Sequence, residues 1–411
     1  MRNIVATASA AIAIVLAFTS TVLAGTTVTL GPAVQPRGAG RVTLLWMDRE
    51  NLPVEIAATS PNSPTVRGTS VVTAGVNAVE LTGLVPGAEY SYAVGSRAGR
   101  FIAPPDSTQV LHFAVYGDSR TGDDVHRRLV SAVAAQRPDV VMTTGDDVEN
   151  GDRVSQWQNF FAIERPLLET TAFTGVQGNH DVGALFSNLV RLGADSSATR
   201  RTWGSMDLGP AHFLLVDGES SVMEGSAQYR FIERDLTANE SKPLFVLIHK
   251  PLFSSGQHGG LGSGSIPSTL APMFSRHGVD VVFQGHDHDY ERTTPINGVT
   301  YVVTGGAGAP LYPMGRSPWT AVGETTNHFL TVDVSASRIH LVATRLDGSQ
   351  LDSVTLDPRA NNGRFTGTEN VPAGGGAGCS VGPKGARADA LAMSLLLFGY
   401  GFVRRRRAAR S

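Results

Sequence analysis

The 411-residue sequence has very little cysteine and almost no net charge. Cys379 is its single cysteine, so the chain has no intrachain disulfide to stabilise it. With 34 Lys and Arg against 36 Asp and Glu, it also lacks the excess of positive charge that a nucleic-acid surface carries. An anionic small molecule would have to be attracted by local groups. The length allows two or three domains.

Long apolar runs are also missing, and the short run at the N-terminus is typical of an export signal. Arg2 supplies a positive end, residues 4–18 an apolar stretch, and residues 22–24 a small-residue cleavage site. The alternative, a retained membrane anchor, is disfavoured because the run falls short of the roughly 20 residues that span a bilayer. We therefore expect residues 1–24 to be a signal peptide and the protein to be exported, either secreted or held at the cell surface or outer envelope.

The other end of the chain has a second ordered pattern, over residues 358–411. A Gly-rich segment leads to Cys379, then to an apolar run at residues 388–403 and to four arginines at residues 404–407. This order resembles the sorting tails of myxobacterial surface proteins. The resemblance implies transient membrane association, cleavage by a sorting protease and retention at the cell surface. A disordered tail with a chance apolar run is the alternative.

Residues 25–104 show the pattern of a small all-β domain, with short apolar runs separated by Gly, Pro and Asn. Within it, residues 81–92 resemble the turn and the tyrosine-bearing strand of a fibronectin type III-like sandwich. No catalytic pattern is visible here, so we interpret this domain as a positioning or recognition module. Strands are predicted at residues 41–47, 53–57, 76–81 and 89–94, and a linker at residues 103–107.

After this linker, over residues 105–357, apolar strands alternate with helical stretches, which predicts an α/β domain built in layers. Strands are predicted at residues 110–116, 140–144, 171–176, 212–216, 244–248 and 279–283, and helices at residues 124–136, 154–163 and 226–238. Further β segments are predicted at residues 300–304, 328–334, 338–344 and 351–356.

Five of these strands end in a potential metal ligand. Because functional sites in open α/β sheets lie beyond the carboxyl ends of the strands, these segments should meet in one cleft. Each segment alone is weak evidence for a metal site. A Gly-Asp pair is usually a turn, and residues 284–292 could be a polar loop rich in histidine. Together they predict a cation site, because buried carboxylates and imidazoles are costly without one. The ligand candidates are Asp118, Asp146, Asn179, His249, His286 and His288.

The order Gly-Asp, Gly-Asp, Gly-Asn-His-Asp, His, Gly-His-Asp-His resembles the calcineurin-like metallophosphoesterases. The block Gly-His-Asp-His-Asp-Tyr-Glu-Arg at residues 285–292 is most similar to their purple acid phosphatase branch, and the resemblance covers residues 110–356. It implies a four-layer β-sandwich flanked by helices. It also implies two divalent or trivalent ions (Fe, Zn or Mn). Asp118 and His288 would hold the first ion; Asn179, His249 and His286 would hold the second, and Asp146 would bridge them.

Five further residues have roles that the resemblance suggests or puts in doubt. His180 would contact phosphate and protonate the leaving group, with Asp181 orienting its ring; a structural histidine is the alternative. His258 would contact substrate, or be a solvated loop histidine. Arg120 stands where many relatives have histidine, and suits a grip on phosphate. Glu149 stands where the purple enzymes have an iron-binding tyrosine, so it would ligate the first metal or leave that position to water.

These patterns predict a phosphoester hydrolase that uses metal-bound hydroxide on a small phosphorylated substrate, with phosphomonoesters preferred. A phosphodiesterase or nucleotidase is the enzyme alternative. A surface recognition protein with a vestigial site is the alternative from another class. The sequence leaves the oligomeric state open.

Overall fold

The structure is a computed structural model that describes residues 26–192, 201–259 and 264–358. The predicted signal peptide and the predicted sorting tail from residue 359 onward, including Cys379, lie outside the described residues. Within the described residues, no helix combines the length and the apolar character needed to cross a membrane.

The first part of the described chain is all β. Its strands are β1 (Val28–Pro36), β2 (Arg41–Asp48), β3 (Glu55–Ser60), β4 (Ser63–Thr69), β5 (Val71–Thr73), β6 (Val76–Thr82), β7 (Glu89–Val94) and β8 (Arg97–Ile102). They form two four-stranded sheets, ordered β1-β2-β6-β5 and β4-β3-β7-β8. The Tyr90 hydroxyl accepts a hydrogen bond from the Val85 N–H at 3.1 Å. The all-β prediction is confirmed, and the fibronectin type III-like assignment stays a prediction.

The second part contains two larger sheets. One has the order β11-β10-β9-β19-β20-β21 and the other β12-β13-β14-β15-β17-β16-β18. The strands are β9 (Leu111–Tyr116), β10 (Val140–Thr143), β11 (Ala172–Gly175), β12 (Gly204–Leu208), β13 (Ala211–Val216), β14 (Leu244–Ile248), β15 (Val281–Gln284), β16 (Tyr290–Thr293), β17 (Thr300–Thr304), β18 (Thr320–Glu324), β19 (His328–Ser335), β20 (Arg338–Arg345) and β21 (Gln350–Leu356). Its helices are α1 (Asp123–Gln136), α2 (Val154–Leu168), α3 (Phe186–Leu189), α4 (Ala227–Asn239) and α5 (Ile266–His277).

Alternating side chains along the central strands join these layers. On β14, Phe245 and Leu247 belong to the core between the sheets, whereas Val246 and Ile248 belong to a second core with residues of α4 and α5. The Phe245 ring packs edge-on against Phe113 of β9 at 5.7 Å between centroids. Both faces of the strand are therefore buried, which explains its continuous apolar sequence. The predicted mixed α/β domain with two sheets and flanking helices is confirmed.

The sequence pattern misses strands β1, β4, β5, β8, β12, β16 and β18 and helix α3. The elements that it does predict differ from the observed ones at their ends and around proline. Helix α2 was expected to end at Ile163, but it continues through Pro166 to Leu168. Helix α5 was not predicted, because Pro267 and Pro272 interrupt the apolar pattern. Pro267 lies in the first turn, where its missing N–H costs nothing.

Candidate metal centre

Three of the predicted ligands lie at sharp turns where parallel strands end. Asp118, Asp146 and His286 follow β9, β10 and β15, and their φ angles are 59°, 56° and 70°. This left-handed conformation costs a non-glycine residue about 1–2 kcal/mol. Strain of this kind clusters at functional sites, where the surrounding structure holds it in place. The turns bring the three side chains to one edge of the facing sheets.

Glycine is required next to these turns because the segments approach each other closely. A Cβ at Gly285 would lie 2.6 Å from Asp118 Oδ2, and one at Gly178 would lie 2.2 Å from Asp146 Oδ1. A side chain at either position would displace a ligand carboxylate. The glycines recognised in the sequence therefore serve the packing of the site.

Four of the six predicted ligands meet around His249. Its Nε2 lies 3.1 Å from Asn179 Oδ1, 3.2 Å from His286 Nδ1 and 3.5 Å from Asp146 Oδ1. Asp146, His249 and His286 offer ligand atoms that all lie within 4.8 Å of one another. These are the residues assigned to the second metal, together with the bridging aspartate.

The remaining two ligands form the neighbouring pair. His288 Nε2 lies 3.4 Å from Asp118 Oδ1, and both side chains are buried. Both Asp118 oxygens also accept the His286 backbone N–H, at 3.2 and 3.0 Å, which ties the two ligand groups together. The structure thus brings all six predicted ligands together, in two adjoining groups that match the grouping implied by the resemblance.

Backbone carbonyl groups orient two of the imidazoles. His249 Nδ1 donates to Thr144 O at 2.9 Å, and His288 Nδ1 donates to Pro310 O at 2.6 Å. Because a carbonyl oxygen can only accept, the proton lies on Nδ1 in both rings. Each Nε2 therefore presents a lone pair to the site, as a metal-ligating histidine requires.

The six side chains suit cations because atoms that carry lone pairs face one another in the site. The unprotonated His249 Nε2 lies against an amide oxygen and a carboxylate oxygen at 3.1 and 3.5 Å. Burial raises the pKa of Asp118 well above its usual value. Burial, helped by His249 and His258, lowers the pKa of His286 to about 3, which keeps that ring neutral. Mixed carboxylate, amide and imidazole ligands suit Zn²⁺, Mn²⁺ or Fe.

Asp181 has a different role from the one expected. Its Oδ2 accepts the backbone N–H groups of Asp146 and Gly178 at 2.7 and 2.9 Å, and its Oδ1 accepts that of Val148 at 3.0 Å. The His180 ring is instead oriented by Nδ1, which donates to Glu149 O at 3.0 Å. The prediction that Asp181 orients His180 is therefore wrong. Asp181 holds the ligand loops together.

Glu149 pairs with arginine at the rim of the site. Its Oε2 lies 2.6 Å from Arg120 Nη1, while Arg120 Nε lies 3.2 Å from Asp146 Oδ2. The Glu149 side chain is 45% exposed, whereas the Asp146 side chain is 1% exposed. The structure thus directs the Glu149 carboxylate to the guanidinium and to solvent. Of the two hypotheses for this position, the structure favours the one in which water occupies it, and disfavours the one in which Glu149 ligates the first metal.

His258 and Tyr312 complete the rim on the other side. His258 Nδ1 lies 3.0 Å from Asp287 Oδ1, a contact that raises the pKa of His258, and its ring centroid is 4.1 Å from that of His286. Sequence reasoning missed Tyr312, whose ring stacks on His288 at 4.0 Å between centroids and an interplanar angle of 16°. Nothing in the local sequence marks this tyrosine, because only the fold brings it to His288.

Comparisons with known proteins show which proteins this chain resembles. Residues 111–290 match the family model of the calcineurin-like phosphoesterases. Over 214 residues the chain is 30% identical to "Probable inactive purple acid phosphatase 27" of Arabidopsis thaliana, covering 42% of this chain and 35% of that protein. Over 348 residues it is 28% identical to "Acid phosphatase type 7" of Mus musculus, covering 68% and 76%. The chain spans 35%, 39% and 48% of the length of three such Arabidopsis relatives.

Solved structures share the fold. The purple acid phosphatase PPD1 from yellow lupin seeds superposes with a TM-score of 0.70 at 20% identity, over 79% of this chain and 74% of that one. The structure of PhoD superposes with a TM-score of 0.58 at 11% identity, over 80% and 93%. At such identities these likenesses establish the fold alone. Residues 111–290 are therefore similar to the calcineurin-like phosphoesterases, and the proteins that resemble this chain include a purple acid phosphatase of Arabidopsis thaliana.

Proposed function

We propose that the chain is a metal-dependent phosphoester hydrolase that acts on phosphomonoesters. The observation that carries this proposal is the convergence of six side chains that can bind metal at the carboxyl ends of the strands. His249 Nε2 faces Asn179, His286 and Asp146 within 3.5 Å, and Asp118 lies beside His288. Two bound cations would polarise the phosphoryl oxygens and lower the pKa of a water molecule at the site.

The protein's own residues would hold the phosphoryl group and move a proton. Arg120 is the cation at the rim, and its guanidinium, fixed by Asp146 and Glu149, suits the oxygens of phosphate. His180 Nδ1 donates its proton in a hydrogen bond to Glu149 O. The other ring nitrogen, Nε2, therefore faces the metal ligands and lies 4.0 Å from Asp146 Oδ2. When protonated, Nε2 can give its proton to the ester oxygen as the P–O bond breaks.

A preference for monoesters is supported by the relatives named acid phosphatases in mouse and human. A diesterase or nucleotidase is supported by the barley relative named "Nucleotide pyrophosphatase/phosphodiesterase", 26% identical over 264 residues. The test compares p-nitrophenyl phosphate with bis(p-nitrophenyl) phosphate under identical conditions. We expect a higher kcat/KM for the monoester, and a higher value for the diester would reverse the assignment.

A non-catalytic role is the second candidate, because three Arabidopsis relatives are named "probable inactive". The complete ligand set argues against it, since loss of one ligand would be enough to abolish a two-metal site. Metal content and turnover together separate the candidates. Protein that binds two ions and hydrolyses neither ester would support a recognition role, and turnover of either ester would exclude it.

We also propose that the protein is exported and held at the cell surface after cleavage near Cys379. The order of the signal-like N-terminus and the Gly-Cys-apolar-Arg tail supports this. Cell fractionation of wild type beside Cys379→Ala tests it. We expect surface-bound mature protein that begins at Gly25, and altered retention in the variant. Mature protein found only in the cytoplasm would contradict it.

A further inference from the structure

Four side chains close a ring at the mouth of the metal centre. Arg120 Nε lies 3.2 Å from Asp146 Oδ2, and Arg120 Nη1 lies 2.6 Å from Glu149 Oε2. Glu149 Oε1 lies 3.7 Å from His180 Nδ1, and His180 Nε2 lies 4.0 Å from Asp146 Oδ2. The two carboxylates therefore alternate around the ring with the guanidinium and the imidazole. Asp146 lies on the buried side of the ring and Glu149 on the solvent side.

Exposure decides which of these groups a substrate meets beyond its phosphoryl group. The side chains of Asp146 and Arg120 are 1% and 12% exposed, whereas those of His180 and Glu149 are 27% and 45% exposed. A phosphoryl group at the buried ligands must direct its ester substituent outward, past this rim. A phosphoryl group bound there would face the guanidinium, and its leaving group would pass the Glu149 carboxylate.

Backbone contacts hold the two segments beside His180, residues 149–152 and 180–183, against each other; we call these two segments the wall. The Gly151 N–H donates to His180 O at 2.8 Å, which joins residues 149–152 to residues 180–183. Val182, in the second segment, is 49% exposed. A Cβ at Gly183 would lie 2.5 Å from Asp152 Oδ1, so a second carboxylate lies against the same segment. The wall thus carries the carboxylates of Glu149 and Asp152 and the exposed aliphatic side chain of Val182.

We propose that Glu149 is a specificity-determining residue that makes the site favour phosphoesters with an uncharged or cationic leaving group over those with an anionic one. This inference rests on the proposed function. A charge on the leaving group about 6 Å from the Glu149 carboxylate, in a partly solvated setting, would change kcat/KM by about 3- to 10-fold. The effect should weaken as added salt screens exposed charges.

The test uses the full-length, metal-loaded protein and two phenyl phosphates, one with a para-carboxylate and one with a para-trimethylammonium group. The measured quantity is the ratio of kcat/KM for the cationic over the anionic substrate. Comparing this ratio between variants cancels the intrinsic reactivity of the two esters. Glu149→Gln should lower kcat/KM for the cationic ester and raise it for the anionic ester, each about 3- to 10-fold, so the ratio should fall about 10- to 100-fold. Glu149→Asp, which keeps the charge, should restore most of it.

Glu169→Gln is the matched control, because Glu169 is also a partly exposed carboxylate paired with an arginine, 3.0 Å from Arg165 Nε, at the far end of α2. It should leave the ratio unchanged. An identical ratio in wild type and Glu149→Gln would overturn the inference. If the wild type hydrolyses no ester with any metal, the proposed activity fails separately. Calorimetric binding of the corresponding phenylphosphonates, with the same variants, then still tests the charge preference.

Discussion

Replacing Asp181 by alanine should destabilise the whole site, and the size of the effect follows from its contacts. The carboxylate accepts the N–H groups of Asp146, Gly178 and Val148 in a fully buried setting. Leaving a buried N–H group without its hydrogen bond costs about 1–3 kcal/mol. The loss of stability that we expect is smaller than the sum over the three bonds, because water can enter the vacated space. We therefore expect the free energy of unfolding to fall by about 3–5 kcal/mol.

The assay is urea unfolding of the metal-free protein, together with kcat of the metal-loaded protein. His180→Ala is the matched comparison, since its side chain is partly exposed and contributes one hydrogen bond, to Glu149 O, where Asp181 contributes three. It should lower kcat while leaving the unfolding free energy within about 1 kcal/mol of wild type. If Asp181→Ala also leaves stability within about 1 kcal/mol while kcat collapses, Asp181 acts on His180 after all, and the structural reasoning fails.

Three further predictions concern pH, metal retention and colour. Burial lowers the pKa of His328 to about 4, so protonation of the unfolded state at this residue should remove about 3 kcal/mol of stability from the metal-free protein as pH falls from about 6.5 to 4. In urea titrations His328→Gln should make the fall of stability with pH less steep by this amount, and an unchanged slope would contradict the assignment. Tyr312→Ala removes the ring stacked on His288 and should reduce bound metal, measured by elemental analysis after dialysis, whereas Tyr312→Phe should retain it. Because Glu149 occupies the tyrosine position, iron-loaded protein should lack a strong visible charge-transfer band, and such a band would refute this reasoning.

The sequence predicted the ligand set because each ligand follows a strand whose apolar pattern is plain. The Gly-Asp turns after β9 and β10 mark where the chain leaves the sheet, and parallel strands place these turns at one edge. The same reasoning located every strand of the six-stranded sheet and four strands of the seven-stranded sheet to within a few residues, but it missed β12, β16 and β18. It failed at α5, where prolines and small residues hide the helical pattern.

The contacts that the sequence could not predict depend on tertiary packing. Asp181 was assigned to His180 because the two are adjacent in the chain, yet adjacent side chains point in different directions, and Asp181 turns inward. Glu149 and Arg120 are 29 residues apart and meet only because the loops after neighbouring strands converge. Tyr312 lies 24 positions after His288 and reaches it across the site. Such pairings follow from the fold and have no local sequence signal.

The central claim is that the six converging side chains form a two-metal hydrolytic site. The most direct test is hydrolysis of p-nitrophenyl phosphate by protein that is stripped of metal and then reloaded with Mn²⁺, Zn²⁺ or Fe, beside Asp146→Asn. We predict activity that returns with metal in the wild type, at about two bound ions per chain, and collapses in the variant. Activity that survives both chelation and Asp146→Asn would contradict the claim, as would wild-type protein that retains no metal and cleaves neither monoester nor diester.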